Sequence, residues 1–506
     1  MNRRDFLAAT GAVTGAAAGA VSGAGAVMAS APGRAVAAPA TGGAPVAGVT
    51  WRCTTRKAAW QACADGLTLG DVQANPFGRD AEVRLDQPRQ TMAGFGGAFS
   101  ERGWLALRAL PAPTRDAVLD ALFAPGQGLG FTLCRTPIGA NDISRGWYSY
   151  DEVDGDFALD HFSVANDQDT LIPFIQQARA RQPGLKLWAS PWSPPTWMKT
   201  NRHYAMTPAW PGQPSNGLAP DQQGREGRDH FIQEDRYFDA YALYFRRYVE
   251  AYAQAGIPIS AVMPQNEFNS AQPFPSCCWT PAGLARFIPH LGREMAKVGV
   301  DIHFGTLERA NADLLSQVMA DPAAGPLLHG VGVQWAGKGA LPIIRDRHPG
   351  LAIWASEQEC GTGTNDWHYA RYAWGLMKLY LLNGASAYQY WNMVMPPGGM
   401  SGWGWPQNAL VTVDPATGGY RFNPDFHVMK HVSHFVAPGA RLLPVDSFTG
   451  YDNQLAFLNP DGSVVVVAQN DLAEPWPLRL KLGNRLLTLR LPADSFNTVH
   501  IAGGLA

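Results

Sequence analysis

Eight short apolar runs recur along the middle of this chain. They are AGFGGAF (93–99), FTLCRTPI (131–138), KLWASPW (186–192), ISAVMPQNE (259–267), DIHFGTL (301–307), GVGVQW (330–335), AIWASEQ (352–358) and SAYQYWNM (386–393). Most of the intervals can hold a helix. EDRYFDAYALYFRRYVEAYAQAG carries aromatic and aliphatic residues at three-to-four spacing, and HYARYAWGLMKLYLLNG does the same before a Gly stop. Eight apolar strands alternating with helical stretches predict an α/β chain folded as a (β/α)8 TIM barrel.

The rhythm differs on both sides of this block. After about residue 409 the segment QLAFLNPDGSVVVVAQND places an Asn-Pro-Asp-Gly turn between two apolar runs, and LRLKLGNRLLTLRLPADSFNTVHI continues with short strands. This predicts an all-β unit, a sandwich by preference. Ahead of the barrel, AEVRLDQPRQTM alternates as a half-buried strand and can join it, so the attached β-sandwich is built from both chain ends. The stretch before about residue 75 reads as polar and poorly ordered. The resulting division is a leader at 1–37, an N-terminal segment at 38–92 that lends a strand to the sandwich, the barrel at 93–408 and the sandwich at 409–506.

The leader pairs Arg3-Arg4 with Phe6-Leu7, a long Ala/Gly stretch and a small-residue site at Ala35-Val36-Ala37. That pattern predicts twin-arginine export to the periplasm or exterior. No later segment offers eighteen uninterrupted apolar residues, so no membrane span is expected in the mature chain. Forty Lys+Arg against 42 Asp+Glu, with no run of like charge, argue against a nucleic-acid partner. Of six cysteines, only Cys53 and Cys63 are close enough for a local bridge, which the sequence leaves open. Without a CxxC pair or an HExxH motif, no metal or cofactor is expected.

Barrel enzymes carry their chemistry at the C-terminal ends of the strands. Here those ends hold Asn266-Glu267 on the fourth strand, Gln334-Trp335 on the sixth, Glu357 on the seventh and Tyr390-Trp391-Asn392 on the eighth. Two carboxylic acids on roughly opposite strands, ringed by tryptophans and amides, suit hydrolysis of a glycosidic bond. One protonates the leaving oxygen and the other stabilises or attacks the anomeric carbon. The third strand runs into WASPWSPPTWMKT (188–200), whose three tryptophans are expected to form a sugar-binding wall.

The ordered motifs GFGGAFSE, CRTPIGANDIS, SPWSPPTWMKT, PQNE, WASEQECG, YWNMVMPPGG and WGWPQNALVTVD resemble glycoside hydrolase family 30, and HVSHFVAPGARLL extends the likeness beyond the barrel. That family includes glucosylceramidases and β-1,6-glucanases on a (β/α)8 barrel with an attached β-sandwich. The resemblance implies that Glu267 is the acid/base, Glu357 the nucleophile and Asn266 the partner of the sugar 2-hydroxyl. It implies Asp142 as acceptor for the sugar's outer hydroxyls and Trp192, Trp391 and Asn408 as lining; Gln334 and Trp335, read from the end of the sixth strand, are expected to bind substrate too. Arg135 is expected to hold a carboxylate in place. Glu359 would face the same way as Glu357, but the family position is that of Glu357. Retention through a glycosyl-enzyme intermediate follows.

Two features set this chain apart. A long polar insertion at 201–232, NRHYAMTPAWPGQPSNGLAPDQQGREGRDHFI, follows the third strand and can close one end of the cleft. Gln334-Trp335 is followed by Ala-Gly-Lys, where glucosylceramidases have His-Trp and an aromatic, which points away from a glycolipid substrate. The expected partner is a carbohydrate or glycoconjugate. A transglycosylase using the same carboxylates and a non-catalytic carbohydrate-binding protein are the alternatives; the latter would need neither carboxylate.

Overall fold

A computed structural model describes residues 46–72 and 78–504; the leader expected at 1–37 lies outside the described residues. Strands Gly94–Ala98, Leu133–Ile138, Lys186–Pro191, Ala261–Val262, Asp301–Leu307, Leu328–Gln334, Ala352–Glu357 and Ala385–Asn392 close into a barrel. The first strand pairs in parallel with the eighth and so completes the ring. Alternation sorts the side chains: Leu187 and Ala189 join the core under the outer helices, whereas Trp188 points inward and packs with Leu133, Met263, Trp354 and Ala387. The first strand is glycine-rich because its neighbour lies very close; a Cβ on Gly96 would sit 1.8 Å from the Leu133 carbonyl oxygen.

The fourth strand is much shorter than the 259–267 run suggested. It ends at Val262, and Pro264, which has no N–H to give to a ladder, follows after one residue. Asn266 and Glu267 therefore sit on irregular backbone beyond the strand.

The sandwich does draw on both ends of the chain. Its six-stranded sheet sets Val49–Thr55 beside Ser495–Ile501, and its five-stranded sheet includes Thr68–Asp71 and Ala81–Val83. The segment before residue 75 is thus not a loose polar lead, since strand pairing orders residues 49–55, 61–62 and 68–71. Cys53 and Cys63 are joined in a disulfide there. The region from 409 is not all β either. Val411–Asp414 and Gly419–Phe422 form a small sheet, and helix Pro424–Ser433 follows, with its buried residues in the same core as the barrel helices.

Strand Val464–Asn470 explains its unbroken VVVV. Val464, Val466 and Ala468 face the sandwich core, whereas Val465 and Val467 join the barrel's core. The sheet is buried on both faces, so barrel and sandwich share one apolar interface. Among the described residues no helix is long and apolar enough to cross a membrane.

Helix Pro424–Ser433 is tied to the last barrel strand by Tyr390, whose hydroxyl donates to Asp425 in its first turn. Asp425 is fully buried, and burial pushes its carboxyl up from 3.8 to about 7, against the lowering effect of the tyrosine hydrogen bond. The fold therefore holds this proton more tightly than the unfolded chain does, and stability from this group is present below about pH 4 and lost as the pH rises towards about 7. Asp425→Asn keeps an acceptor for Tyr390 without the charge. The expected outcome is a melting-temperature difference, variant minus wild type, that grows more positive between pH 4 and 7; a pH-independent difference would contradict the assignment.

Candidate active site

The centre of the barrel mouth is a buried cation. Arg135 lies on the second strand with no exposed surface. One guanidinium nitrogen donates to Glu357 Oε2 at 2.8 Å, and the other donates to Asn266 Oδ1 at 2.8 Å and Ser190 Oγ at 2.9 Å. Tryptophan rings surround it, with centroids 4.2 Å away for Trp192, 4.8 Å for Trp188 and 5.6 Å for Trp391. Desolvation pulls its pKa below the ordinary arginine value, opposed by the charge of Glu357, and the guanidinium stays protonated. Arg135 is thus a clamp behind the carboxylate, with no surface left for a substrate.

Glu357 ends the seventh strand and is 4% exposed. Besides Arg135 it accepts from Gln334 Nε2 at 3.1 Å and from Trp335 Nε1 at 2.8 Å. Glu267 is buried too and accepts from Gln272 Nε2 at 3.2 Å and Gln334 Nε2 at 3.3 Å. The Gln334 amide therefore bridges the two glutamates, while Ser356 Oγ donates to its oxygen at 2.9 Å and fixes its orientation. Asn266 Oδ1 takes donors from Arg135, Thr306 and Gln334, and its Nδ2 is the part left to meet a ligand.

Two of these residues adopt left-handed backbone: Glu267 at φ 46° and Trp335 at φ 49°. Side chains with a Cβ rarely do so, and such strain collects at functional sites. For Glu267 the conformation is held by its own N–H, which donates to Thr306 Oγ1 at 2.8 Å.

Above the glutamates lies an aromatic cup. Trp192 and Trp391 stack at 5.4 Å, and Trp335, Trp403 and Trp405 continue the wall with Trp210 from the insertion. Of the three tryptophans in WASPWSPPTWMKT only Trp192 reaches the cup. Trp188 plugs the barrel interior, and Trp197 packs against Phe157 and Tyr237 with its Nε1 donating to the Asp151 carbonyl.

Gln407 ties the rim together and was missed from sequence. Its oxygen accepts from Trp391 Nε1 at 3.0 Å and Asn392 Nδ2 at 2.8 Å, and its nitrogen donates to Asp142 Oδ2 at 3.3 Å. Asp142 is thereby brought to the cup beside Trp391. Asn408 is placed differently: fully buried, it accepts from the Asn365 N–H at 3.2 Å and holds a loop. The WGWPQN motif was the available signal for Gln407, Trp403 and Trp405, but adjacent amides in a loop carry no period that says which one turns inward. Glu359 pairs with Lys338 and accepts from the Tyr372 hydroxyl, an arrangement that leaves the central position to Glu357. No cluster of three or more potential metal ligands occurs among the described residues.

The glycosyl hydrolase family 30 TIM-barrel domain matches residues 92–436, and the family 30 β-sandwich domain matches residues 450–499. The chain belongs to glycosyl hydrolase family 30. It is a glycoside hydrolase, similar to the lysosomal acid glucosylceramidase of Mus musculus, with 28% identity over 443 residues covering 82% of each chain. It is also similar to the endo-1,6-β-D-glucanase of Neurospora crassa, with 28% identity over 437 residues covering 80% of this chain and 81% of the other. Among solved structures, SrfJ from Salmonella typhimurium shares the fold with a TM-score of 0.78 at 22% identity, over 90% of this chain and 99% of the other.

In this family 30 enzyme the Arg135 clamp is open to direct test. Arg135→Met should destabilise the fold by about 3–5 kcal/mol, because it leaves a buried carboxylate without its cation. Arg135→Lys should recover part of that loss but not all, since one ammonium lacks the fork that spans Glu357 and Asn266. Denaturant midpoints measure both; a wild-type midpoint for Arg135→Met would contradict the clamp.

Proposed function

We propose that this enzyme hydrolyses β-linked glucosides or related glycans with retention of configuration at the anomeric carbon. The observation that carries this reading is the shared Gln334 amide, which holds the nearest oxygens of Glu267 and Glu357 within reach of one nitrogen, at 3.3 and 3.1 Å. That closeness favours the roughly 5–5.5 Å carboxyl separation of retaining enzymes over the wider gap that an inverting enzyme needs for its water.

The two glutamates sit in unequal surroundings, and this supports unequal roles. Glu357 faces a guanidinium and an indole N–H at 2.8 Å each, an environment suited to an anion. Glu267 accepts from the Gln272 and Gln334 amides at 3.2 and 3.3 Å, and in this reading it holds a proton before turnover. Glu267 gives that proton to the glycosidic oxygen as the bond to the anomeric carbon breaks, and Glu357 attacks that carbon to form the glycosyl-enzyme ester. Water then enters, loses a proton to Glu267 and displaces Glu357. Asn266 Nδ2 donates to the 2-hydroxyl, Asp142 accepts from the outer hydroxyls, and Trp192 and Trp391 offer apolar faces to the ring.

The two relatives named above are a glucosylceramidase and an endo-1,6-β-D-glucanase, and both substrates present a β-glucosyl group. Gln334 at the bridging position, with Ala336-Gly337-Lys338 after Trp335, favours the glycan reading over the glycolipid one.

Leaving-group dependence separates the roles. Glu357→Gln should lose on the order of 10⁴-fold or more in kcat on every β-glucoside. Glu267→Ala should lose far more on an alkyl β-glucoside than on a 2,4-dinitrophenyl β-glucoside, whose leaving group needs no proton. Equal losses on the two substrates in Glu267→Ala would contradict its assignment as acid.

A further inference from the structure

Beyond the cup, the 201–232 insertion and the loop after the eighth strand line a second, half-open cavity of about 640 Å³. Its volume falls within the range of small-molecule sites, roughly 300–1,000 Å³. Trp147 and Trp403 supply aromatic walls, and Gln213, Ser215, Asn216 and Ser401 supply hydrogen-bonding groups. Aromatic surface interleaved with amides and hydroxyls is the chemistry that recognises a sugar ring and its hydroxyls.

The cavity is built rather than a gap between loose loops. At the start of the insertion, the buried Lys199 Nζ donates to the carbonyls of Tyr204 and Ser276 at 2.8 and 2.7 Å and so staples it to the segment after Glu267. Asn216 Nδ2 donates to the Thr207 and Pro273 carbonyls at 2.8 and 2.9 Å. Trp210 meets Trp403 edge-on at 4.7 Å. The Gln213 side chain lies directly over Gly404, whose φ of +90° is a conformation that favours glycine.

It also shares a wall with the catalytic cup. Asp142 accepts the Gly402 N–H on its carbonyl at 2.7 Å, and its carboxylate Oδ2 receives both Trp403 Nε1 at 3.5 Å and Gln407 Nε2 at 3.3 Å. Gln407 in turn holds Trp391. A sugar whose outer hydroxyls reach Asp142 therefore points its non-reducing end towards Trp403 and the cavity behind it.

We propose that this cavity is a second saccharide subsite, which binds the next sugar on the non-reducing side, so that the enzyme prefers oligosaccharide chains to single glucosyl groups. This rests on the β-glycosidase reading given above. The test compares kcat/KM for 4-nitrophenyl β-glucoside and 4-nitrophenyl β-gentiobioside in the wild type, Trp147→Ala and Gln213→Ala. The second glucose should raise kcat/KM about tenfold in the wild type. Trp147→Ala should abolish that gain and Gln213→Ala reduce it, with the single glucoside unchanged in both. No gain in the wild type, or a gain that both variants keep, would overturn the subsite. If neither aryl glycoside is turned over, the failure lies with the β-glucosidase reading, and calorimetry decides the subsite separately. Gentiobiose binding the wild type more tightly than glucose, with the difference lost in Trp147→Ala, supports it; equal affinities overturn it.

Discussion

A guanidinium with no exposed surface, sunk in the mouth of a barrel, sets the terms for everything around it. Desolvating Arg135 is offset by the groups packed around it: a carboxylate, an amide oxygen, a hydroxyl and three indole rings. Those partners come from the third, seventh and eighth strands and from the turn after the fourth, so one side chain fixes the relative positions of groups far apart in sequence. Glu357 is aimed by it. Asn266 has its oxygen occupied by it and so presents its nitrogen. The site's geometry is in this sense a consequence of satisfying one buried charge.

Around that centre the backbone is strained. Glu267 and Trp335 both carry left-handed backbone, Trp335 directly after the sixth strand and Glu267 in the irregular segment beyond the fourth. The turn after Val262 is released from the barrel ladder by Pro264 and recaptured by Thr306, which carries Asn266 and Glu267 across to face Gln334 and Glu357. The rigid frame that bears this strain is large: the VVVV strand is buried on both faces and welds sandwich to barrel.

The fold was legible in the sequence because its signals are periodic. Eight apolar runs in step gave the barrel, and the alternation of Leu478, Leu480 and Leu482 with polar residues belongs to a sandwich strand. Irregular backbone was less readable. The fourth run looked like a nine-residue strand because apolar residues on either side of a proline carry no mark of where pairing stops. WASPWSPPTWMKT looked like one wall, yet its tryptophans diverge to the barrel interior, the cup and a helix face, since prolines turn the chain between them. Residues before 75 looked loose because their strands pair with segments more than 400 residues away, which local pattern cannot report. In the candidate site the glutamates and their amide neighbours stood at strand ends and were found; Gln407, displaced into a loop, was not.

The most direct measurement is the configuration of the sugar at the moment it leaves the enzyme. Proton NMR of β-glucoside hydrolysis, followed from the first turnovers, should show the β-anomer of glucose first, with the α-anomer growing in only by mutarotation. The close pairing of Glu267 and Glu357 beneath the shared Gln334 amide predicts that order. Initial release of the α-anomer would mean that water attacks the anomeric carbon directly, and the account of Glu357 as nucleophile would be wrong.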